Sequence, residues 1–184
     1  VYNALAAAAS AHALGVAPEV IASALAAATA PFGRQERFQV DRREARVLLA
    51  KNPAGLNEVL RTLAVTDGPL TVLAMLNDGI QDGQDVSWIY DADIELLAGR
   101  ELHLVCSGDR ADDFALRWVL AGIEPRSVLA DTEAALDAAL AAAPEGGRLN
   151  VVATYTAMLD VREALARRAG AASYWETPSE ERAR

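Results

Sequence analysis

The feature that most constrains this chain is the alternation in its second half. Short apolar or β-branched runs at residues 70–76, 101–106, 127–130 and 149–153 are separated by helical stretches at 86–98, 111–121, 132–142 and 157–169. Strands joined through helices by short Gly, Asp and Pro connections cross over and return parallel, with a right-handed crossover. The pattern predicts a Rossmann-like α/β fold, a mostly parallel sheet with helices on both faces, over residues 34–176. Ahead of it, residues 36–40 and 46–50 flank a polar connection, Asp41-Arg42-Arg43-Glu44, and read as a hairpin. Lys51-Asn52-Pro53-Ala54-Gly55 then leads into a helix over 56–64. A strand, a polar turn and a helix start can bring backbone N–H groups to a ligand, and Pro53 and Gly55 are equally explained as turn chemistry.

Before the sheet, residues 3–14 are dominated by alanine, the best helix former, and Gly15 stops that helix. Pro18 opens a second helix to about residue 28, and Pro31 and Gly33 break the pattern. Two such helices hold too little chain for a core of their own. The expected organisation is two helices over 1–33, an α/β domain over 34–176, and a polar tail over 177–184. The net charge of −9 argues against a general affinity for nucleic acid, because neutralising phosphates takes clustered Lys and Arg and here they are scattered. Cys106, the single cysteine, lies in an apolar run, so neither a disulfide nor a cysteine-based zinc site follows from this sequence. His12 has no second ligand at helical spacing and reads as an ordinary histidine, so no metal site is expected. No apolar run is long enough to span a bilayer and the opening Val-Tyr-Asn has no charged n-region, so the expected location is cytoplasmic.

After the run at 70–76 the sequence becomes an aspartate-rich loop carrying Asp78, Asp82, Asp85, Asp91 and Asp93, with Gly79 and Gly83 as breaks and a Trp88-Ile89-Tyr90 block. Loops at the carboxyl end of parallel strands are where α/β proteins keep their sites. Any one of these acids could simply cap a helix or solvate a turn; the group reads as a shaped acidic loop, and Trp88 as its buried packing anchor. Ser107-Gly108-Asp109-Arg110 and Thr154-Tyr155-Thr156 also follow strands and are expected on the same sheet edge. The phosphate loop G-x-x-x-x-G-K-[ST], the dinucleotide fingerprint G-x-G-x-x-G, paired-histidine metal motifs and the G-x-S-x-G elbow do not occur. The residues alone therefore lead to a nucleotide-binding or accessory α/β domain.

Several stretches resemble the Mur ligases. Tyr2-Asn3-Ala4-Leu5-Ala6-Ala7 resembles the start of a helix near the end of their central domain. Gly33-Arg34 is similar to the junction into their C-terminal domain, and Lys51-Asn52-Pro53-Ala54-Gly55-Leu56 to the His-Asn-Pro type turn of that domain. More specific are Leu76-Asn77-Asp78 and the run Asp82 to Asp93, with Ser107-Gly108, Arg110-Ala111 and Thr154 to Leu159. These resemble the MurT family, the Mur-ligase-like subunits of lipid II isoglutaminyl synthase. The resemblance runs along nearly the whole chain in the family's order.

The resemblance implies a C-terminal part of a subunit that works with a GatD-type glutamine amidotransferase. The partner supplies ammonia, and the Mur-like subunit uses ATP, with Mg2+, to activate the D-glutamate α-carboxyl of the lipid II stem peptide for amidation. It implies that the phosphate loop and a zinc ribbon lie upstream of Val1, that contact with the membrane comes only through the lipid-linked substrate, and that Lys51 and Asn52 stand on the ATP side of the site. The family completes the partner's glutaminase triad with an aspartate, a role the resemblance carries to Asp85, with Asp91 as the alternative. Two other readings stay open: a non-catalytic nucleotide- or protein-binding α/β module, and the C-terminal domain of another Mur or folylpolyglutamate ligase. Lys51 in place of the turn's His, together with the Asp85 to Asp91 stretch, disfavours the last of these.

Overall fold

The computed structural model describes residues 2–28 and 34–171, so the breaks expected at Pro31 and Gly33 and the tail after Trp175 lie outside the described residues. The chain divides into two compact units, residues 1–31 and 32–184. The first holds helices α1 (Tyr2–Ala13) and α2 (Pro18–Ala27), with Gly15 between them in the left-handed region at φ 84° and Pro18 in the first turn of α2. No residue of α2 is buried, in keeping with a helix pair too small to enclose a core.

The second unit opens with an antiparallel hairpin of β1 (Arg34–Val40) and β2 (Arg43–Leu49). Only Asp41 and Arg42 connect the strands, and both have positive φ (46° and 63°), the paired left-handed conformation that matches a hairpin's twist. The expected four-residue connection is therefore too long: Arg43 and Glu44 already belong to the ladder, where Glu44 pairs with both Gln39 and Arg148. The chain continues through α3 (Pro53–Ala64), β3 (Leu70–Met75), β4 (Leu102–Ser107), α4 (Ala111–Leu120), β5 (Ser127–Leu129), α5 (Thr132–Ala142), β6 (Arg148–Ala153) and α6 (Tyr155–Ala169). The six strands stand in the order β1-β2-β6-β3-β4-β5, and every pairing after the hairpin is parallel. This is the mostly parallel α/β sheet that the alternation predicts.

Two apolar layers cover the sheet. One joins Leu56, Leu60 and Leu63 of α3 and Phe114 and Trp118 of α4 to the sheet; the other packs Leu136 and Leu140 of α5 and Val161 and Leu165 of α6 against it. The helix expected over 86–98 does not form. Two short 3₁₀ helices, Ser87–Asp91 and Ile94–Leu97, take its place. Val86, Ile89, Ala92, Ile94 and Leu97 are all buried, and their nearly three-residue spacing puts them on one side of a tighter helix, whose three-residue turn brings i and i+3 into line. Trp88, expected to be the buried anchor, is only half-buried against this layer; among the described residues the fully buried tryptophan is Trp118.

Candidate functional site

From β3 the chain moves over the α3/α4 face toward β4 and β5. From β6 it moves over the opposite face, as α6, back toward β2 and β1. The carboxyl ends of β3 and β6 are therefore the switch point, where open α/β sheets leave a crevice. Here side chains bridge it. Asn77, 7% exposed, donates its backbone N–H to Thr154 Oγ1 (2.9 Å) and its Nδ2 to Thr156 Oγ1 (3.0 Å), and its Oδ1 accepts from the Asp109 N–H (3.0 Å). Three loops, after β3, β4 and β6, are thus tied by one amide, which has enough donors and acceptors for all of them. Gly108 makes the close approach possible: at φ 97°, a Cβ there would lie 2.5 Å from the Leu76 carbonyl oxygen and 2.6 Å from Asn77 Oδ1. The loops expected to share a sheet edge do share it.

The five aspartates separate by environment. Asp82 accepts the Thr156 backbone N–H through Oδ1 (2.9 Å) and the Thr156 hydroxyl through Oδ2, which pins the loop to the start of α6. Asp78 and Asp113 flank Arg110 at 3.1 and 2.6 Å, and both carboxylates, Asp113 foremost, raise the guanidinium pKa. Asp93 exchanges two hydrogen bonds with Asn57 of α3 (2.8 and 3.0 Å). Asp85 is exposed, with Oδ1 accepting the Ser87 N–H at 2.8 Å. The Ser87 side chain, and then its backbone N–H, hold the Asp85 carboxyl below its ordinary range. Asp91 ends the first 3₁₀ helix, exposed, its carboxylate without a hydrogen bond or ion pair among the described residues. On α6, burial and then the carboxylates of Asp109 and Asp82 push Asp160 up.

Arg117 is the site residue that sequence reasoning missed. It lies between Phe114 and Trp118 on the inward side of α4, 4% exposed, and donates to the Ile89 carbonyl (3.1 Å), the Ala92 carbonyl (2.7 Å) and Glu95 (2.9 Å). It hooks both 3₁₀ helices to α4 and offsets the poor hydrogen bonding of short 3₁₀ turns. The available signal was an arginine interrupting an apolar helix face.

Lys51 is exposed, and Asn52 is the N-cap of α3, its Oδ1 accepting from the Gly55 N–H at 2.8 Å. They line an open depression of about 290 Å³ with Leu48, Leu49, Gly55 and Glu58. No hydrogen bond or ion pair among the described residues joins either one to the aspartates after β3. Among those residues no group of three or more His, Cys, Asp and Glu side chains could hold a metal ion. One cation and an already capped helix start do not fit a nucleoside triphosphate with its Mg2+, which needs several phosphate donors and metal-binding oxygens; they could meet only one edge of a bound nucleotide. No helix among the described residues is long and apolar enough to cross a membrane.

Sheet order, crossover pattern and switch-point edge define an α/β domain of the Mur ligase C-terminal type. Solved structures share this fold: a type C pseudomurein peptide ligase from Methanothermus fervidus (TM-score 0.62, 19% identity, 90% of this chain and 35% of that one) and MurF from Acinetobacter baumannii (0.60, 24%, 88% and 37%). The family model described as MurT ligase C-terminal matches residues 49–158, and the chain belongs to that family. Curated relatives are the lipid II isoglutaminyl synthase (glutamine-hydrolyzing) subunits MurT of Staphylococcus aureus strain COL, 40% identical over 124 residues (67% of this chain, 28% of the relative), and of Streptococcus pneumoniae strain R6, 32% identical over 169 residues (91% and 38%). The chain spans between about a quarter and two fifths of the length of these relatives.

Proposed function

We propose that this chain is the C-terminal part of a MurT subunit of a glutamine-hydrolysing lipid II isoglutaminyl synthase, which amidates the D-glutamate α-carboxyl of lipid II with ATP in the cytoplasm. Residues 1–33 then end the central domain and 34–176 form the C-terminal domain, with the catalytic ATP and Mg2+ machinery outside this chain. Asp85 completes the catalytic triad of a GatD-type glutaminase partner. The observation that carries this reading is the state of its carboxylate: exposed on the loop after β3, kept on the ionised side by Ser87, and fixed through Oδ1, which accepts the Ser87 N–H. A carboxylate accepting from one imidazole nitrogen fixes the tautomer, so that the other can take the proton of the partner's nucleophilic cysteine; it also stabilises the imidazolium that results. Asp91, without an anchor among the described residues, is the less prepared alternative.

The test is Asp85→Asn in the full-length subunit assembled with its amidotransferase. The Asn side chain keeps an oxygen for Ser87 N–H, so the loop and the complex are retained, while glutamine-dependent amidation falls by at least about tenfold; the loss of roughly 10⁴-fold for the analogous change in serine proteases is the upper guide. With ammonium in place of glutamine, amidation persists. Wild-type glutamine-dependent turnover in Asp85→Asn refutes the assignment, and loss confined to Asp91→Asn moves the role there. On the nucleotide side, Lys51 and Asn52 contact one edge of ATP in the full-length subunit; a KM for ATP unchanged in Lys51→Ala removes that contact.

A further inference from the structure

At the end of the sheet opposite to the aspartate-rich edge, we infer a binding site for a phosphate group, held by arginines on a polar strip of β1, β2 and β6. On one face of these strands α6 packs against an apolar layer that includes Phe38, Val47 and Val151. On the other face the buried α3/α4 layer takes only Leu48 from β2 and Val152 from β6, both near the carboxyl ends. Toward the amino end that face turns polar. The register sets it out in two rungs, Arg37–Arg46–Asn150 and Gln39–Glu44–Arg148, and residues directly opposite in a ladder share a face. Three guanidinium groups and one carboxylate therefore stand together. Glu44 pairs with Arg148 at 2.5 Å and with Arg37 at 3.6 Å.

A solvated, salt-bridged sheet face is common and by itself means little; here charge and shape go further. Burial, then Arg148 and Arg37, lower the Arg46 pKa, and each arginine outweighs the opposing pull of Glu44. The strip thus stays positive with its carboxylate in place, on a chain of net charge −9. Gln39, Glu44, Arg148 and Asn150 also line a depression of about 470 Å³, within the range of small-ligand sites. Its sides are braced. Arg100 donates to the carbonyls of Ala64 (2.6 Å), Thr66 (2.5 Å) and Gly68 (2.9 Å) in the turn before β3. Across from it, Arg43 Nε donates to the Ala143 carbonyl (2.7 Å) and the Gly146 N–H to the Arg42 carbonyl (3.0 Å). Asn150 is 3% exposed, and its Nδ2 stands 3.4 Å from the Thr71 carbonyl, long for a hydrogen bond, so the amide keeps donor capacity at the lining. Glu44 already supplies the two oxygens that a carboxylate offers to Arg37 and Arg148. A phosphate brings more oxygens and suits the remaining donors of both guanidinium forks. Asp67 lines the turn before β3, and Arg42 is paired with Glu145 at 3.5 Å, which leaves the anion on the Arg148 side.

The experiment titrates the 184-residue chain with sodium phosphate against sodium chloride at equal ionic strength, reading amide shifts by NMR. Phosphate alone should give saturable shifts at residues 37–48 and 147–150, with a Kd of roughly 1–10 mM, as two or three charge-assisted hydrogen bonds leave after the cost of association. Arg37→Gln combined with Arg148→Gln should raise that Kd at least about fivefold, while Arg61→Gln on α3 leaves it unchanged. Glu44→Gln separates binding from scaffolding: removing the carboxylate should tighten phosphate about threefold, whereas a merely structural Glu44 would loosen the site or leave it unaffected. Melting temperatures check the fold of each variant, and the wild-type shift map stands without any of them. Sedimentation with phosphatidylglycerol vesicles, and with phosphatidylcholine vesicles as control, then identifies the source. Binding to phosphatidylglycerol that the double variant loses assigns a lipid headgroup; phosphate shifts without vesicle binding assign a soluble phosphate. Equal shifts in chloride, shifts confined to the loops after β3, β4 and β6, or a Kd unmoved in the double variant overturns the inference. Vesicle binding without phosphate shifts overturns it as well, since adsorption to a charged surface needs no site.

Discussion

At the residue scale, three side chains and one glycine show how position decides consequence. Gly108 is read from sequence as part of a loop that follows a strand, but its role depends on Leu76 and Asn77, more than thirty positions away. Gly108→Ala adds a Cβ at 2.5 Å from a backbone oxygen that cannot swing aside, at a φ of 97°. It should lower stability by at least about 2 kcal/mol, combining left-handed strain with the clash, as measured by urea denaturation. Trp88→Ala should cost roughly half of the 3–5 kcal/mol for truncating a fully buried aromatic, whereas Trp118→Ala should show the full value. Equal losses in the two variants would contradict the difference in burial. Cys106, fully buried in β4, has its pKa pushed up to about 12 by burial. A thiol whose folded pKa is raised contributes stability below its unfolded pKa and loses it as pH rises through the folded one. Alkylation by iodoacetamide near pH 8 should therefore label Cys106 in urea and spare it in the native state, and any Cys106-linked loss of stability should begin above about pH 9.

At the scale of elements, the strands and long helices were legible because each buries apolar residues at its own period. The β3 run is buried at every position, as a central parallel strand requires, and α5 spans the range read from the sequence. The stretch after Val86 was misread because apolar residues about three apart serve a 3₁₀ helix as well as an α-helix, and what chooses between them is remote. Arg117 donates to carbonyls at Ile89 and Ala92, groups that a continuous helix would have spent within itself. Arg117→Met keeps the apolar stem and removes every donor. The Ile89 and Ala92 carbonyls keep the backbone N–H groups of Ala92 and Ile94 (3.4 and 3.0 Å) but each loses its second donor, so the change should cost about 1–3 kcal/mol and speed amide exchange in residues 87–97 ahead of the rest of the domain. Arg117→Lys should not restore protection, because a single ammonium cannot span the same carbonyls in the guanidinium's fork geometry. Exchange in that segment matching wild type in Arg117→Met would mean that packing of Ile89, Ile94 and Leu97 alone holds it.

At the scale of the whole molecule, the sheet order explains why the site could be located in the sequence but its wiring could not. Alternating strands and helices fix a parallel sheet and put the loops after β3, β4 and β6 at one edge; which loops become neighbours depends on β6 inserting between β2 and β3, and no local pattern announces that insertion. The Asn77 amide and the Asp82–Thr156 pair exist only because of it. The same arrangement bears on nucleotide binding. In many α/β proteins the switch point receives phosphates; here the crevice is bridged by Asn77, Thr154, Thr156 and Asp82, with Asp109 and Asp160 alongside, on a chain of net charge −9. A polyphosphate at that edge meets carboxylates where it needs donors. The isolated chain should therefore bind ATP weakly. A ligand present at about 100 times its Kd stabilises a fold by roughly 2.7 kcal/mol, worth several degrees in a domain of this size. About 1 mM ATP with Mg2+ should move the melting temperature of the 184-residue chain by less than about 1 °C. A shift of several degrees, or a micromolar Kd by calorimetry, would mean that Lys51, Asn52 and the carboxyl edge form a nucleotide site by themselves.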